Sequence, residues 1–271
     1  MDFYSVVLLF FVYSFIGYVC EILYVSSIQR RFVDRGFLHG PICPVYGFGA
    51  LLVIFLLKPV SHSIPILFIS AVILTSVLEY FTGFLLETLF NTKWWVYSQY
   101  KFNIKGRVCL LNSLLFGILS LIGVRIIHPF LLHGMQIIHY AVIKGVSILL
   151  LVYFCIDLFY SVKKVLRFNE HLLLLGEFVE NLKEKYGSEQ WFMGHNLLEI
   201  FKTITDTSPQ EKDRLHITPA LLEKIQSFSQ KTRDIDSFIR KFPSISSIRH
   251  KISLDHVKAR IEQYKKGRRD K

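Results

Sequence analysis

Five long apolar runs constrain the fold of this chain more than any other feature of its sequence. Each has about the 17 to 25 residues that a helix needs to cross the hydrocarbon core of a bilayer. Inside a bilayer the backbone polar groups must be satisfied within the protein, which an α-helix achieves within one segment. The pattern predicts an all-α fold, a polytopic transmembrane bundle of about five spans, near residues 4–27, 41–57, 64–88, 108–127 and 137–160.

The second run is the least regular of the five. It begins with GPICPVYGFG, in which two prolines and three glycines disfavour a regular helix start. Unwound backbone at membrane depth occurs where protein shields it, often beside a cavity. The segment therefore predicts a broken or re-entrant start to the second span.

The charged residues divide the chain near residue 161. Residues 1–161 hold 10 of the 32 lysines and arginines, and the remainder follow in residues 162–271. We therefore predict a transmembrane domain at 1–161 and a cytoplasmic tail at 162–271. Apolar residues at helical spacing in EHLLLLGEFVENLKEKYG, and in three later stretches, predict that the tail is helical.

Lysine and arginine in the short loops predict the orientation of the spans. The loops QRRFVDRGFLHG and NTKWWVYSQYKFNIKGR are basic, whereas KPVSHS has one lysine and the turn around HPFLLHGMQ has none. Because basic loops stay in the cytoplasm, we expect a cell-membrane protein with its N-terminus outside and its C-terminus in the cytoplasm. The run KWWVYSQY is typical of an aromatic belt at the membrane surface.

Carboxylates inside the predicted spans are the strongest functional signal, because a charged side chain at the bilayer centre costs about 3 kcal/mol on insertion scales. At about 1.5 Å per residue, Glu79 lies about 18 Å and Glu87 about 6 Å from the cytoplasmic end of the third span. Glu21 lies about 13 Å from the cytoplasmic end of the first span. We expect no charged residue of another span at the depth of Glu79.

Three interpretations of these carboxylates remain open. In the first, Glu21 and Glu87 pair with Arg107 or Lys93 and only hold helices together. In the second, a substrate or ion cavity open to the cytoplasm is lined by polar residues of three spans, namely Glu21, Glu79, Arg107 and Asn112. In the third, one carboxylate acts as an acid or base on a lipid headgroup.

The loop RGFLHGPICPVYG adds polar side chains at the same surface. His39 and Cys43 are four residues apart across Pro41, a pattern too weak to predict a metal site. The sequence predicts no metal site, no bound cofactor and no catalytic residue. The candidates for substrate binding or coupling are Glu21, Glu79, Glu87, Arg107, Asn112, His39 and Tyr46.

Two further partners are considered for the tail. The terminal KKGRRDK favours contact with anionic lipid at about 1 kcal/mol per basic residue, beside the simpler interpretation that the tail helices pack on one another. Nucleic-acid binding is not predicted, because the basic residues are interspersed with acidic ones and match no reading motif.

Several blocks of the sequence together resemble a known family. The blocks are FIGYVCEILY, RGFLHGPICPVYGFGALL, LEYFTGFLLETLF and KWWVYSQYKFNIKGRVCLLNSLLFG, followed by IHP at 127–129. They are similar to the bacterial membrane proteins named Putative ABC-transporter type IV, over about residues 10–130. FIRKFPSISSIRHKI in the tail resembles a closing motif of longer members. The resemblance implies a permease-like role and assigns no substrate and no residue roles.

The chain carries no Gly-x-x-x-x-Gly-Lys-[Ser/Thr] phosphate loop, so ATP hydrolysis would require a separate ATPase subunit. The leading hypothesis is a permease-like protein that moves an unknown substrate through a polar cavity in the inner half of the bilayer. The alternatives are an intramembrane enzyme acting on lipid or prenyl substrates, and a membrane scaffold or sensor that signals through its tail.

Overall fold

The computed structural model describes residues 1–30, 32, 36–186 and 246–247, and these are mostly helical. The α-helices are α1 Phe3–Gln29, α2 Pro44–Leu56, α3 Ile64–Phe90, α4 Leu110–Ile122, α5 His128–Ile137 and α6 Tyr140–Tyr186. A 3₁₀ turn at Lys58–Val60 follows α2, and a π-helical turn at Gly123–Ile127 joins α4 to α5.

Four two-residue strands accompany the helices: β1 Thr92–Lys93, β2 Asn103–Ile104, β3 Val108–Cys109 and β4 Ser246–Ser247. β2 and β3 form an antiparallel hairpin in which Asn103 lies opposite Cys109, and β1 pairs with β4. The predicted helical character is confirmed. The all-α prediction missed these strands, because a two-residue strand is too short to show periodicity.

Among the described residues, four helices are long and apolar enough to cross a membrane: Phe3–Ser27, Ile64–Phe90, Leu110–Ile137 and Tyr140–Glu170. They correspond to the first, third, fourth and fifth predicted runs. The second run forms the 13-residue α2, which is shorter. Its predicted irregular start is present, since residues 36–43 are not helical and Pro44 opens the helix, where no backbone N–H is needed.

The predicted outer turn around HPFLLHGMQ is wrong, because these residues form α5. Pro129 stands at the start of α5, directly after the π-helical turn Gly123–Ile127. A proline is tolerated in the first turn of a helix, where its missing N–H removes no bond that the helix requires. The chain leaves helical geometry only at Ile138, where the backbone is extended.

Local backbone and side-chain geometry explains where α1 begins and where α1 and α3 end. Asp2 accepts hydrogen bonds from the Ser5 backbone N–H at 3.2 Å and from the Ser5 hydroxyl at 2.5 Å, and these bonds lower the pKa of the Asp2 carboxyl. α1 is followed by Arg30 and α3 by Asn91, both with φ of 49°, the left-handed conformation that ends a helix.

Glycines bring α1 and α2 into close contact. A Cβ added at Gly17 would overlap the Tyr46 side chain, and one added at Gly47 would overlap Ser14 and Phe10. Small residues allow helix backbones to approach closely where lipid surrounds the protein. This contact places Tyr46 of α2 against the part of α1 that carries Glu21.

α3 and α4 are joined by small and polar side chains. The Ser76 hydroxyl donates to Ser113 Oγ at 2.8 Å. One helical turn further along α4, Gly117 faces Val72 and Phe68 of α3. The contact holds the middle of α3, which carries Glu79, against the start of α4.

The chain divides into two compact units, the first made of Met1–Leu89 with Lys93–Lys164 and the second of Phe90–Thr92 with Val165–Lys271. Within the second unit, Asn169 donates to the Phe90 carbonyl at 2.6 Å and accepts from the Thr92 hydroxyl at 3.1 Å. α6 runs unbroken past residue 161 to Tyr186. The helices predicted after residue 187 lie outside the described residues.

Candidate functional site

Glu87 forms a buried ion pair with Arg107. The Arg107 Nε and Nη2 atoms donate to Glu87 Oε2 at 3.0 and 2.5 Å, and Lys93 Nζ lies 3.9 Å from Oε1. The Glu87 side chain is 8% exposed. The hydrogen bonds to Glu87 raise the pKa of the Arg107 guanidinium, which favours its charged form. These contacts match the first of the three interpretations for Glu87.

Arg107 is also held by two aromatic residues of α3. Its Nη1 atom donates to the Tyr80 hydroxyl at 2.9 Å. The guanidinium carbon lies 5.1 Å from the Tyr80 ring centre and 5.3 Å from that of Phe84, within the range of cation–π attraction. All three nitrogens of the guanidinium are therefore directed at Glu87 and Tyr80.

The segment between α3 and α4 is bonded to itself. The Trp95 indole N–H donates to the Arg107 carbonyl at 2.9 Å, and the Tyr97 N–H donates to the Gly106 carbonyl at 2.8 Å. Asn103 Oδ1 accepts from the Gly106 N–H at 3.0 Å, where Gly106 has a φ of 69° that favours glycine. We call residues 92–109 the hairpin segment. It carries Arg107 and Tyr97 back onto α3.

The predicted aromatic belt at KWWVYSQY is wrong for Trp94. Its side chain is buried, and its ring packs edge-to-face against Phe37 with 5.2 Å between the ring centres. Trp95 and Tyr97 are partly buried by the contacts of the hairpin segment. A tryptophan at the membrane surface and a tryptophan packed inside the protein are the same residue type, so the sequence does not distinguish them.

Glu79 receives its partner from the hairpin segment. Its side chain is 8% exposed and is hydrogen-bonded to the Tyr97 side chain. Glu79 lies about 16 Å along α3 from Phe90, so the hairpin segment reaches well along the helix. The other oxygen, Glu79 Oε2, has no hydrogen-bond partner among the described residues.

Glu21 and Tyr46 complete the polar group around Glu79. The Tyr46 hydroxyl donates to Glu21 Oε2 at 2.7 Å. Glu21 is close enough to Glu79 for their charges to interact, and Tyr46 lies near Tyr97. We call Glu21, Tyr46, Glu79 and Tyr97 the acidic site. It takes one residue each from α1, α2, α3 and the hairpin segment.

Two other candidates lie elsewhere. Asn112 is buried in the first turn of α4, and no hydrogen bond within the described part of the chain joins it to the acidic site. His39 contacts α6 instead. Sequence reasoning therefore selected three of the four residues in the acidic site. It missed Tyr97, whose signal was only its place in a basic, aromatic loop.

A third buried carboxylate, Asp157 of α6, binds the unwound segment before α2. Its Oδ1 atom accepts from the His39 N–H at 2.9 Å and its Oδ2 atom accepts from the Gly40 N–H at 2.8 Å. The ring nitrogen Nδ1 of His39 lies 3.1 Å from Oδ1. Sequence reasoning missed Asp157, although an acid within a predicted span is itself a signal.

Ser161, His39 and Asp157 do not form a nucleophilic triad. In such a triad the histidine uses one ring nitrogen for the carboxylate and the other for the serine. Here the same atom, His39 Nδ1, lies 3.1 Å from Asp157 and 3.0 Å from the Ser161 hydroxyl. The group holds the backbone of residues 39–40 on α6.

No group of three or more His, Cys, Asp or Glu side chains within the described ranges could hold a metal ion. A protein-family profile described as Putative ABC-transporter type IV matches residues 8–162, which is more than half of the chain, and this confirms the resemblance of the sequence blocks. No curated protein and no solved structure matches the chain.

Proposed function

Because this chain belongs to the Putative ABC-transporter type IV family, we propose that it is the membrane component of a transport system and that the acidic site binds the substrate. The proposal rests on the surroundings of the Glu79 side chain. Its carboxylate is buried within a membrane-length helix and one of its oxygens is unpartnered among the described residues.

An unpartnered buried polar group costs about 1–3 kcal/mol, and more when it is charged. Intramembrane carboxylates that persist at such a cost mark substrate or ion pathways. Glu87 serves as the internal comparison, because its oxygens are bound by Arg107 and Lys93. Glu79 is therefore the better candidate for a substrate contact than Glu87.

The proposed topology has five membrane segments in a cell membrane. The four membrane-length helices span it, and α2 enters as a shorter fifth segment after residues 36–43. The basic residues of the hairpin segment support a cytoplasmic position for it, with the N-terminus outside and residues 162–271 in the cytoplasm. A separate ATPase subunit supplies the energy, and the basic C-terminal residues contact anionic lipid.

Transport is tested with membrane vesicles of both orientations from the protein's native host cells, which contain the proposed ATPase subunit, prepared with and without the gene for the protein. The vesicles receive ATP and a mixture of cell metabolites, and the accumulated compounds are identified by mass spectrometry. We expect ATP-dependent accumulation with the wild-type protein, and its loss with Glu79→Gln, which keeps the size of the side chain and removes the charge.

The matched control is Glu177→Gln, which removes the same charge from an exposed position of α6. This variant should accumulate the same compounds as the wild type. Equal accumulation by wild type and Glu79→Gln would refute a transport role for Glu79. Equal accumulation with and without the protein would refute the transport function itself.

A further inference from the structure

We infer that the acidic site recognises an ammonium group, so that the substrate is an organic cation with N–H donors. This inference rests on the proposed function, because it names the chemical class of the substrate for the same site. It follows from how the charges and the hydrogen-bond donors around α3 are distributed.

Two cationic side chains beside α3, Arg107 and Lys93, are paired with Glu87. Arg107 directs all three nitrogens to Glu87 and Tyr80, and Lys93 lies 3.9 Å from Glu87. Among the described residues, neither side chain is hydrogen-bonded or ion-paired to Glu79. Glu79 instead lies within the electrostatic reach of Glu21, a second carboxylate. The two negative charges repel each other, and a bound cation reduces this repulsion.

The hydrogen bonds of the acidic site also favour a ligand that donates a hydrogen bond. The Tyr46 hydroxyl donates to Glu21 Oε2, and Tyr97 is the partner of Glu79. Glu79 Oε2 has no partner within the part of the chain that the structure describes, and it is an acceptor when the carboxylate is ionised. An ammonium group has donors and no acceptor, whereas an anion would place an acceptor against two carboxylates.

An organic ammonium group fits this site better than a divalent metal. Ca²⁺ takes about 6–8 oxygen ligands and Mg²⁺ requires about six in octahedral geometry. The acidic site offers two carboxylates and two phenols, and one phenol proton is already directed at Glu21.

The inference is tested on the purified full-length protein in lipid nanodiscs. Trp94 and Trp95, two of the three tryptophans, lie in the hairpin segment close to Tyr97, so intrinsic fluorescence responds to binding there. The probes are methylammonium and putrescine, with tetramethylammonium, acetate and Ca²⁺ for comparison. We expect a saturable response to the two amines, and a weaker one to tetramethylammonium, which has the charge but no N–H donor.

Glu79→Gln should bind the amines about 10- to 100-fold more weakly, which is the range expected for one charge-assisted hydrogen bond. Glu177→Gln should bind them as the wild type does. No saturable response to either amine, an unchanged affinity in Glu79→Gln, or tighter binding of acetate or Ca²⁺ would each overturn the inference.

A second measurement needs no variant and covers the case in which Glu79→Gln does not fold. A carbodiimide modifies carboxyl groups, and peptide mass spectrometry reads the modification of each residue. Methylammonium should protect Glu79 and leave the exposed Glu177 equally modified. Modification of Glu79 that is the same with and without methylammonium would overturn the inference.

The two proposals fail in distinguishable ways. If Glu79→Gln abolishes vesicle accumulation while the wild type binds no amine, transport stands and the ammonium site is refuted. If amines bind the wild type and not Glu79→Gln while both accumulate the same compounds, the ammonium site stands and its role in transport is refuted.

Discussion

At the scale of single residues, Glu87 and Arg107 stabilise each other inside the protein. Their side chains are 8% and 15% exposed, and removal of one partner leaves the other charge buried without compensation. Breaking a buried pair in this way costs about 3–5 kcal/mol. The pair therefore serves to hold the hairpin segment on α3.

We predict that Arg107→Ala and Glu87→Gln each lower the apparent midpoint of thermal unfolding by several degrees. The double variant should be less destabilised than the sum of the two, because the second change removes a partner that is already lost. Lys101→Ala, at an exposed position of the same segment, is the control and should leave the midpoint unchanged. Additive effects in the double variant would contradict the pairing.

Asp157 is a second example at the scale of single residues, because its carboxylate accepts hydrogen bonds from the backbone before α2. We predict that Asp157→Ala exposes the His39 and Gly40 amides, since each loses its acceptor, at about 1–3 kcal/mol for a group left unsatisfied. Hydrogen–deuterium exchange of peptides covering residues 36–43 should become faster. Ser161→Ala keeps both backbone bonds and should exchange as the wild type does. Unchanged exchange in Asp157→Ala would exclude this role for Asp157.

At the scale of elements, the contact between α1 and α2 depends on the absence of a side chain at Gly17. An added Cβ would overlap the Tyr46 side chain, whose hydroxyl donates to Glu21. The packing of two helices and the arrangement of the acidic site are thus linked through one glycine.

We predict that Gly17→Ala lowers stability by about 1–3 kcal/mol, as overpacking of a well-packed contact does, and weakens amine binding at the acidic site. Gly123→Ala is the matched control, because an added Cβ there meets no atom within 4 Å. The control should be neutral in thermal unfolding and in fluorescence titration. Equal behaviour of the two variants would show that the α1–α2 contact tolerates the methyl group.

At the scale of the whole molecule, the orientation of the spans determines which side of the membrane the acidic site opens to. We predict that reporters fused after Ser61 and after His139, between α5 and α6, lie outside the cell, and that a reporter fused after Lys101 lies in the cytoplasm, because basic loops stay inside. Reporter activity measured in intact cells checks each position. A cytoplasmic reporter at Ser61 or His139 would refute the five-segment topology.

The sequence predicted which segments are helical more accurately than it predicted which side chains contact each other. The length of an apolar run is a local property, so four runs correspond to membrane-length helices. The prolines and glycines of GPICPVYGFG likewise predicted the non-helical segment before α2. The turn predicted around HPFLLHGMQ was misplaced, because these residues form α5, whose first turn tolerates Pro129.

The sequence by itself determined the apolar helices and the family, and it singled out Glu21, Glu79 and Tyr46, because apolar length, chain breakers and carboxylates within apolar runs are visible locally. Only the tertiary structure decided which group meets which carboxylate. Tyr97 reaches Glu79 because the hairpin segment folds back along α3, and Asp157 meets Gly40 across 117 positions of the chain. Such pairings depend on how elements pack, and no local pattern of residues contains that information.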